Sequence, residues 1–358
     1  MAALPLMGCI EGGHFAAMTA PVAPADLSAS GLLEQAGWPP AEKVTEIPGG
    51  RNNRVYRVET SRGPALLKRY FREPTDPRDR LAHEYGFLQA CQQSGVDGVP
   101  RALAWDPTGG TALYEFVEGA RPAGLGEVEL REAGDFIAEL NAKRRGPAFC
   151  ALPAAAEACF SLSEHIRSVD LRMDRLESME EASELDRAAK TWVQAELTPA
   201  WRRIRAGLQS ASEADQVLPA AKRIVSPSDF GIHNSLRNRE GRLVFLDFEY
   251  SGWDDPAKLV CDFANQPDRP LSAEESGAFV RRLLSWMGEE EFWRSRFRAL
   301  APLHQIKWTC IVLNDFLPFG RSRRRFQENG EEEIVRKERQ WGKAKLMLSR
   351  VKEGISPF

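Results

Sequence analysis

The segment from Ser226 to Glu249 carries the residue types that phosphoryl transfer requires. Asp229 and Asn234 lie five positions apart in one polar loop, and a short apolar run further along ends at Asp247. A carboxylate can accept the proton of an attacking hydroxyl, while amide and carboxylate oxygens are the hard ligands that Mg²⁺ prefers. We therefore expect Asp229 to be catalytic, and Asn234 and Asp247 to hold the metal ion. An aspartate and an asparagine in a loop are weak evidence alone, so features upstream decide the question.

Three upstream features strengthen this interpretation. Gly49, Gly50 and Asn53 belong to a turn before a strand, where backbone N–H groups can approach phosphates, although a plain hairpin turn is the commoner explanation. Lys68 ends an apolar strand and Glu84 lies on the next helix, the arrangement of the lysine–glutamate pair of kinases. Taken singly, Lys68 is more often explained as an edge-strand lysine, and Glu84 as a solvated residue on a helix surface. Their order along the chain, followed by the polar loop, favours a nucleotide-dependent phosphotransferase.

The elements that must position these residues follow from hydrophobic periodicity and turn signals. Residues 238–241 are typical of a turn, so the apolar run at 243–246 is predicted to be a strand leaving a hairpin. The first ordered residues predict strands at 55–58, 65–70 and 111–117 around a helix at 80–92, and helices dominate later. Those later helices are predicted at 132–143, 160–182, 188–208, 273–287, 290–300, 304–316 and 331–352, after a first short helix at 32–37. The sequence thus predicts an α+β fold with two lobes, a small β-rich one and a larger, mostly helical one.

The boundaries of these parts are set by changes in composition. Residues 1–28 are rich in alanine and proline and are predicted to be a disordered tail. We predict that residues 29–117 form the nucleotide-binding lobe. Residues 118–358 are expected to form the catalytic and acceptor-binding lobe.

Several motifs resemble those of the aminoglycoside phosphotransferase and choline kinase superfamily, which has a bilobal, protein-kinase-like fold. The resemblance spans about residues 49–316. The run Asp-Phe-Glu-Tyr at 247–250 and the run Asp-Phe-Ala-Asn at 262–265 are similar to choline and ethanolamine kinases. Residues 306–314 resemble the C-terminal helix that lines the acceptor pocket of such enzymes. The loop departs from the family pattern, because Pro-Ser-Asp at 227–229 stands where His-Gly-Asp is usual.

The resemblance implies a ligand set and further site residues. ATP and Mg²⁺ would occupy the cleft between the lobes, with residues 114–117 as the hinge that faces adenine. Glu115 and Val117 are therefore expected to bind the nucleotide. Asp262 is expected to brace the catalytic loop. The other partner would be a small-molecule acceptor alcohol bound over the C-terminal lobe.

The residues that would contact the acceptor are less strongly indicated. Trp253, Trp308 and Asp315 are candidates for a cationic or sugar acceptor, since an aromatic face attracts ammonium and a carboxylate neutralises it. Glu249 is expected to face the metal or the acceptor, with a surface carboxylate at a turn as the alternative. The arginine-rich run 321–325 suits an acidic acceptor instead, or is a solvated loop. Cationic and acidic acceptors both stay open.

Composition excludes other classes of partner. The formal net charge of −3 gives no attraction to nucleic acid or to an anionic membrane, and no apolar stretch approaches the ~20 residues of a membrane span. The six cysteines are scattered without a CxxC pair, as in a reduced, cytoplasmic protein. We expect a monomer or a homodimer.

The sequence as a whole predicts an ATP- and Mg²⁺-dependent kinase acting on a hydroxyl group of a small metabolite such as an amino alcohol or sugar. An aminoglycoside-modifying kinase and a catalytically silent nucleotide-binding protein are the alternatives. A protein kinase is less favoured, because the loop lacks His-Arg-Asp, Asp-Phe-Glu replaces Asp-Phe-Gly, and no Ala-Pro-Glu follows.

Overall fold

A five-stranded antiparallel sheet forms the first part of the molecule. The computed structural model describes residues 24–48, 53–72, 76, 78–209, 216–318 and 333–358. The sheet has the order β1-β2-β3-β5-β4 and consists of β1 (Lys43–Ile47), β2 (Asn53–Thr60), β3 (Gly63–Tyr70), β4 (Ala102–Asp106) and β5 (Thr111–Glu115). The strands expected from residues 55–58, 65–70 and 111–117 are confirmed as β2, β3 and β5. β1 and β4 were not anticipated.

The two faces of this sheet have different partners. Helix α1 (Pro24–Gln35) covers one face, where Leu33 and Leu67 belong to the same buried cluster. Helix α2 (Arg80–Ser94) covers the other face, towards the rest of the molecule. Because side chains alternate along a strand, Lys68 and Tyr70 of β3 lie on this second face. The helix expected at 80–92 is confirmed as α2, whereas α1 begins at Pro24, well before the helix expected at 32–37.

Short strands surround the polar loop identified in the sequence. β6 (Gly119–Ala120), β8 (Ser235–Asn238) and β9 (Leu243–Phe245) form a three-stranded sheet. β7 (Ile224–Ser226) pairs antiparallel with β10 (Gly252–Asp254). The predicted hairpin is confirmed, since β8 and β9 pair antiparallel across the turn at 238–241. The polar loop therefore runs from the end of β7 to the start of this hairpin.

Helices make up most of the remaining chain. They are α3 (Glu127–Ala142), α4 (Pro147–Cys150), α5 (Leu162–Glu177), α6 (Glu184–Trp192), α7 (Thr198–Gln209), α8 (Pro256–Ala264), α9 (Ala273–Met287), α10 (Glu290–Val312) and α11 (Glu333–Lys352). A π-helical segment, Val193–Leu197, joins α6 to α7. The α+β fold with a small β-rich part and a larger helical part is confirmed. No helix in the described ranges is long and apolar enough to cross a membrane.

Helix α10 corrects one expectation. Residues 290–300 and 304–316 were predicted to form two helices, but a single helix runs through Pro302 as far as Val312. A proline inside a helix removes one backbone hydrogen bond and kinks the helix, so a break was expected there. Fully buried apolar side chains on both sides, such as Leu300 and Leu303, hold the two halves in one element instead. Tertiary packing therefore outweighs the local preference.

Candidate active site

The hairpin brings the two expected metal ligands to the same place. In the β8–β9 ladder, Ser235 pairs with Phe245, so the residues just outside this pair meet. The backbone N–H of Leu246 donates to the carbonyl oxygen of Asn234 at 2.8 Å. Asp247 follows directly and has φ of +66°, a left-handed conformation that turns the chain away from the hairpin. Asn234 and Asp247 are therefore adjacent although they are thirteen positions apart in the sequence.

The lysine–glutamate pair exists, and its lysine also contacts Asp247, the aspartate expected to bind the metal. Lys68 Nζ donates to both carboxylate oxygens of Glu84, at 2.7 and 3.0 Å, and to Asp247 Oδ1 at 3.1 Å. Lys68 and Glu84 are buried. Burial alone would lower the pKa of Lys68, but the carboxylates of Asp247 and Glu84 outweigh it and raise that pKa. The ammonium is thus held charged at the boundary between the sheet and the hairpin.

These residues share one cleft of about 570 Å³ between the sheet and the hairpin. Its walls include apolar side chains from both sides, among them Val55, Leu66 and Leu246. Of the residues predicted to bind nucleotide or metal, the cleft contains Asn53, Lys68, Glu84, Glu115, Val117, Asn234 and Asp247. Gly49 and Gly50 lie outside the described residues.

Asp229 is in the loop immediately before this hairpin. Its carboxylate is partly exposed, and Oδ1 lies 3.6 Å from Nε2 of His233, a residue that lines the cleft. Asn234 Nδ2 donates to the backbone oxygen of Asp229 at 3.0 Å. Because the amide nitrogen is engaged by the loop, the amide oxygen of Asn234 is the atom left for a cation. One side chain thus connects the expected base to the expected metal site.

A buried lysine holds the polar loop at Ser228, next to the expected catalytic residue Asp229. Lys258, on α8, donates to Ser228 Oγ at 2.9 Å and to Asp254 Oδ2 at 2.8 Å. Ser228 has φ of +67°, so its backbone is in a region that favours glycine. Asp262 lies 3.5 Å from the same ammonium, so it supports the loop next to Asp229 through Lys258. Sequence reasoning missed Lys258, whose only signal was a cation in an otherwise apolar segment.

A second buried side chain fixes the strand that leads into the loop. Asn141, on α3, accepts from the backbone N–H of Val225 at 2.9 Å and donates to its carbonyl oxygen at 3.0 Å. It also donates to the carbonyl oxygen of Ile137. Asn141 is fully buried. Because its amide pairs with both the backbone N–H and the carbonyl oxygen of Val225, it fixes the position of that residue. Nothing in the sequence pattern singled it out.

Glu249 is buried rather than exposed at a turn. It is 1% exposed, and its Oε2 accepts from Asn53 Nδ2 at 2.8 Å. The guanidinium of Arg80 lies 3.8 Å away. Burial, reinforced by the Asp247 carboxylate, raises the pKa of Glu249 to about 7. The surface-carboxylate alternative is therefore wrong, and the hydrogen bond joins the first residue of β2 to the segment after β9.

The three other acceptor candidates lie in the helical part and do not line the cleft. The indole N–H of Trp253 donates to the carbonyl oxygen of Phe149 at 3.1 Å, and that of Trp308 donates to Asp262 Oδ1 at 2.9 Å. Asp315 lies 3.6 Å from the guanidinium of Arg336. Their roles towards an acceptor stay predictions, and the run 321–325 lies outside the described residues.

Comparisons with solved structures find the same fold. A spectinomycin phosphotransferase, solved with ADP and spectinomycin, has a TM-score of 0.58 at 13% identity over 92% of this chain and 99% of its own. The ethanolamine kinase of Plasmodium vivax has a TM-score of 0.53 at 13% identity, covering 84% and 81% of the two chains. The choline kinase of Streptococcus pneumoniae has a TM-score of 0.52 at 15% identity, covering 86% of this chain and 94% of its own. At such identities the likeness shows the fold alone.

The sequence itself identifies the family. No curated protein matches the chain significantly. A model of the phosphotransferase enzyme family matches residues 43–303, which contain the sheet, the cleft and the polar loop. The chain therefore belongs to the phosphotransferase enzyme family, and the expected resemblance is confirmed.

Proposed function

We propose that this small-molecule phosphotransferase is an ATP- and Mg²⁺-dependent kinase acting on a hydroxyl group of a metabolite such as an amino alcohol or sugar. One observation carries the proposal. The buried ammonium of Lys68 is paired with Glu84 and lies 3.1 Å from Asp247, in the cleft that also contains Asn234. A charged lysine beside two hard oxygen ligands is the arrangement that a metal–triphosphate complex requires.

The cleft suits a nucleotide. Its volume of about 570 Å³ falls within the range of small-molecule sites, ~300–1,000 Å³. Leu66, Leu236 and Leu246 provide apolar surface for a base, and Glu115 and Val117 supply hinge backbone at one end. Lys68 would then meet the phosphates at the other end.

The donor set suits magnesium. Asn234 and Asp247 supply two oxygen ligands, and Mg²⁺ commonly takes one or two protein ligands together with water and substrate phosphates. Within the described ranges, no cluster of three or more histidine, cysteine, aspartate or glutamate side chains could hold a metal by itself. When bound, the ion would neutralise charge on the phosphate oxygens.

Asp229 would carry the proton transfer. As the acceptor oxygen attacks the γ-phosphorus, the O–P bond to ADP breaks and the hydroxyl proton passes to the Asp229 carboxylate. The partly exposed position of this carboxylate allows a substrate to reach it. Lys258 and Asn141 would keep the loop in place through Ser228 and Val225, since transfer depends mainly on positioning and charge neutralisation.

A measurement of acceptor-dependent ADP release tests the proposal. The purified chain would be incubated with ATP and Mg²⁺ and a panel of amino alcohols, sugars, amino acids and aminoglycosides, with Asp229→Ala as the blank. Release above the blank with one acceptor class supports the proposal and names the class. Binding of ATP–Mg²⁺ without turnover on any acceptor or on generic protein substrates would instead favour a silent nucleotide-binding protein. Turnover on protein substrates alone would overturn the small-molecule assignment.

A further inference from the structure

Two tyrosines lie next to the lysine–glutamate pair on the inner face of the sheet. Tyr70 is two positions after Lys68 on β3, so both side chains point to the same face. Tyr114 is on the neighbouring strand β5 and reaches the same face, where it lines the cleft. Tyr70 is 5% and Tyr114 is 1% exposed. Buried hydroxyls of this kind need hydrogen-bond partners.

Their hydroxyls form a directed chain of hydrogen bonds. Tyr70 donates to Glu84 Oε2 at 2.6 Å, and the two tyrosine oxygens are 2.7 Å apart. A tyrosine hydroxyl has one proton, and a carboxylate can only accept. Since Tyr70 uses its proton on Glu84, Tyr114 must donate to Tyr70. The chain of donors therefore runs from Tyr114 through Tyr70 to Glu84, and the Glu84 carboxylate also accepts from Lys68.

We propose that Tyr70 and Tyr114 are positioning residues, whose hydroxyl pair fixes the Glu84 carboxylate and thereby places the Lys68 ammonium for the nucleotide phosphates. The inference rests on the proposed function, because Lys68 has a phosphate to bind only if the cleft accepts a nucleotide. It extends that function by linking the base end of the cleft to the phosphate end. Tyr114 is the first residue of the expected hinge, residues 114–117.

The charges around Glu84 explain why such support is needed. Lys68 is drawn towards Glu84 from one side and towards Asp247, at 3.1 Å, from the other. Asp247 and Glu249 repel the Glu84 carboxylate, whereas Lys68 and Tyr70 stabilise it. Tyr70 occupies the oxygen of Glu84 that is farther from the ammonium, 3.0 Å against 2.7 Å. Without the Tyr70 hydroxyl, the Glu84 carboxylate would be free to rotate. The Lys68 ammonium would then move towards Asp247.

The test compares ligands with and without phosphates. Tyr70→Phe removes one hydroxyl and keeps the ring, so the core remains filled. We expect it to weaken ATP–Mg²⁺ binding by about tenfold in calorimetry, as for a lost hydrogen bond to a charged group. Adenosine affinity should change by no more than about twofold, because adenosine does not meet Lys68. Tyr114→Phe is the second test variant. It leaves the Tyr70–Glu84 bond intact, so a smaller loss of ATP–Mg²⁺ affinity, about threefold, is expected.

A double mutant separates positioning from packing. In a Lys68→Met background, Tyr70→Phe should cause no further loss of ATP–Mg²⁺ affinity, because its effect acts through Lys68. Equal losses for ATP–Mg²⁺ and adenosine, or an undiminished loss in that background, would show a purely structural role and overturn the inference. Unchanged ATP–Mg²⁺ affinity in Tyr70→Phe would overturn it too, while the proposed function stands. A wild-type chain that binds no ATP–Mg²⁺ would refute the proposed function itself. If Tyr70→Phe does not fold, the inference is decided by Tyr114→Phe, which must weaken ATP–Mg²⁺ and spare adenosine.

Discussion

The ammonium of Lys258 donates a hydrogen bond to the hydroxyl of Ser228, one residue before Asp229. Ser228→Ala should lower the free energy of unfolding by about 1 kcal/mol, the usual contribution of one buried hydrogen bond. It should also lower kcat more than it raises the KM for ATP, because the loop carrying Asp229 loses a fixed point. Denaturant unfolding and steady-state kinetics measure the two effects.

Ser228→Gly is the control for this prediction. It also removes the hydroxyl, but glycine adopts the φ of +67° at this position without strain. We expect Ser228→Gly to be more stable than Ser228→Ala. The opposite order would mean that the left-handed backbone, and not only the hydrogen bond, depends on the serine side chain.

Asp229→Asn tests the role of the carboxylate in proton transfer. The change keeps the shape of the side chain but removes the base, so kcat should fall by about 10²–10⁴-fold. ATP–Mg²⁺ affinity should stay close to that of the wild type, since Asp229 is not among the residues lining the cleft proposed to bind the nucleotide. Near-normal turnover would show that another group accepts the proton.

Asp247→Asn tests the metal site. An amide in place of the carboxylate removes one negative charge from the oxygen set, so half-maximal activity should need about tenfold more Mg²⁺. A magnesium titration at saturating ATP measures this requirement. Asp135→Asn is a suitable control, because that exposed carboxylate pairs with Arg282 on the surface and does not line the cleft. If both variants kept the wild-type titration, Asp247 would not be a metal ligand.

His165 should make stability depend on pH in the alkaline range. Burial by itself would lower its pKa, but the hydrogen bond with Asp255, 3.2 Å away, raises the pKa to about 9. The unfolded chain loses this proton near pH 6.5. Between pH 6.5 and about pH 9, the folded state therefore keeps a proton on His165 that the unfolded chain has lost. The stability that the protonated His165 contributes is complete below about pH 6.5 and is lost as the pH rises through about 9.

Thermal unfolding between pH 6 and pH 9 checks this prediction. The melting temperature of His165→Gln should fall less steeply with pH than that of the wild type. His304, whose ring centroid is 5.3 Å from that of His165, provides the control. Burial lowers the pKa of His304 to about 3, so it is neutral throughout this range and His304→Gln should keep the wild-type slope. Equal slopes for wild type and His165→Gln would contradict the assignment.

The sequence predicted the parts of the site that depend on local patterns. Lys68 at a strand end and Glu84 on the next helix follow from periodicity, and their pairing requires only that α2 cover the sheet. The meeting of Asn234 and Asp247 follows from the turn at 238–241, because a hairpin brings its two ends together. In each case the relevant geometry is set by one strand, one helix or one turn.

Contacts between distant segments could not be predicted in this way. Asn53 and Glu249 are 196 residues apart, and only the packing of the sheet on the hairpin makes them partners. Lys258 and Asn141 likewise contact the loop and the strand before it from α8 and α3. The sequence pattern of these helices does not show that they pack against the loop. Helix α8 was missed because every residue of it is buried, which removes the polar stripe of an amphipathic helix. Its start was nevertheless signalled by Asp255 before Pro256, a capping residue followed by proline.

The bond between Asn141 and Val225 has a consequence for the segment of chain that lies between these two residues. It ties the strand entering the loop to α3, and α3 packs against α9 rather than depending on the segment α5–α7 for its place. That segment lies on the chain between Asn141 and Val225, so exposed positions on its surface can change while the bond keeps the strand in place. Such changes should leave the loop that carries Asp229 in its present position.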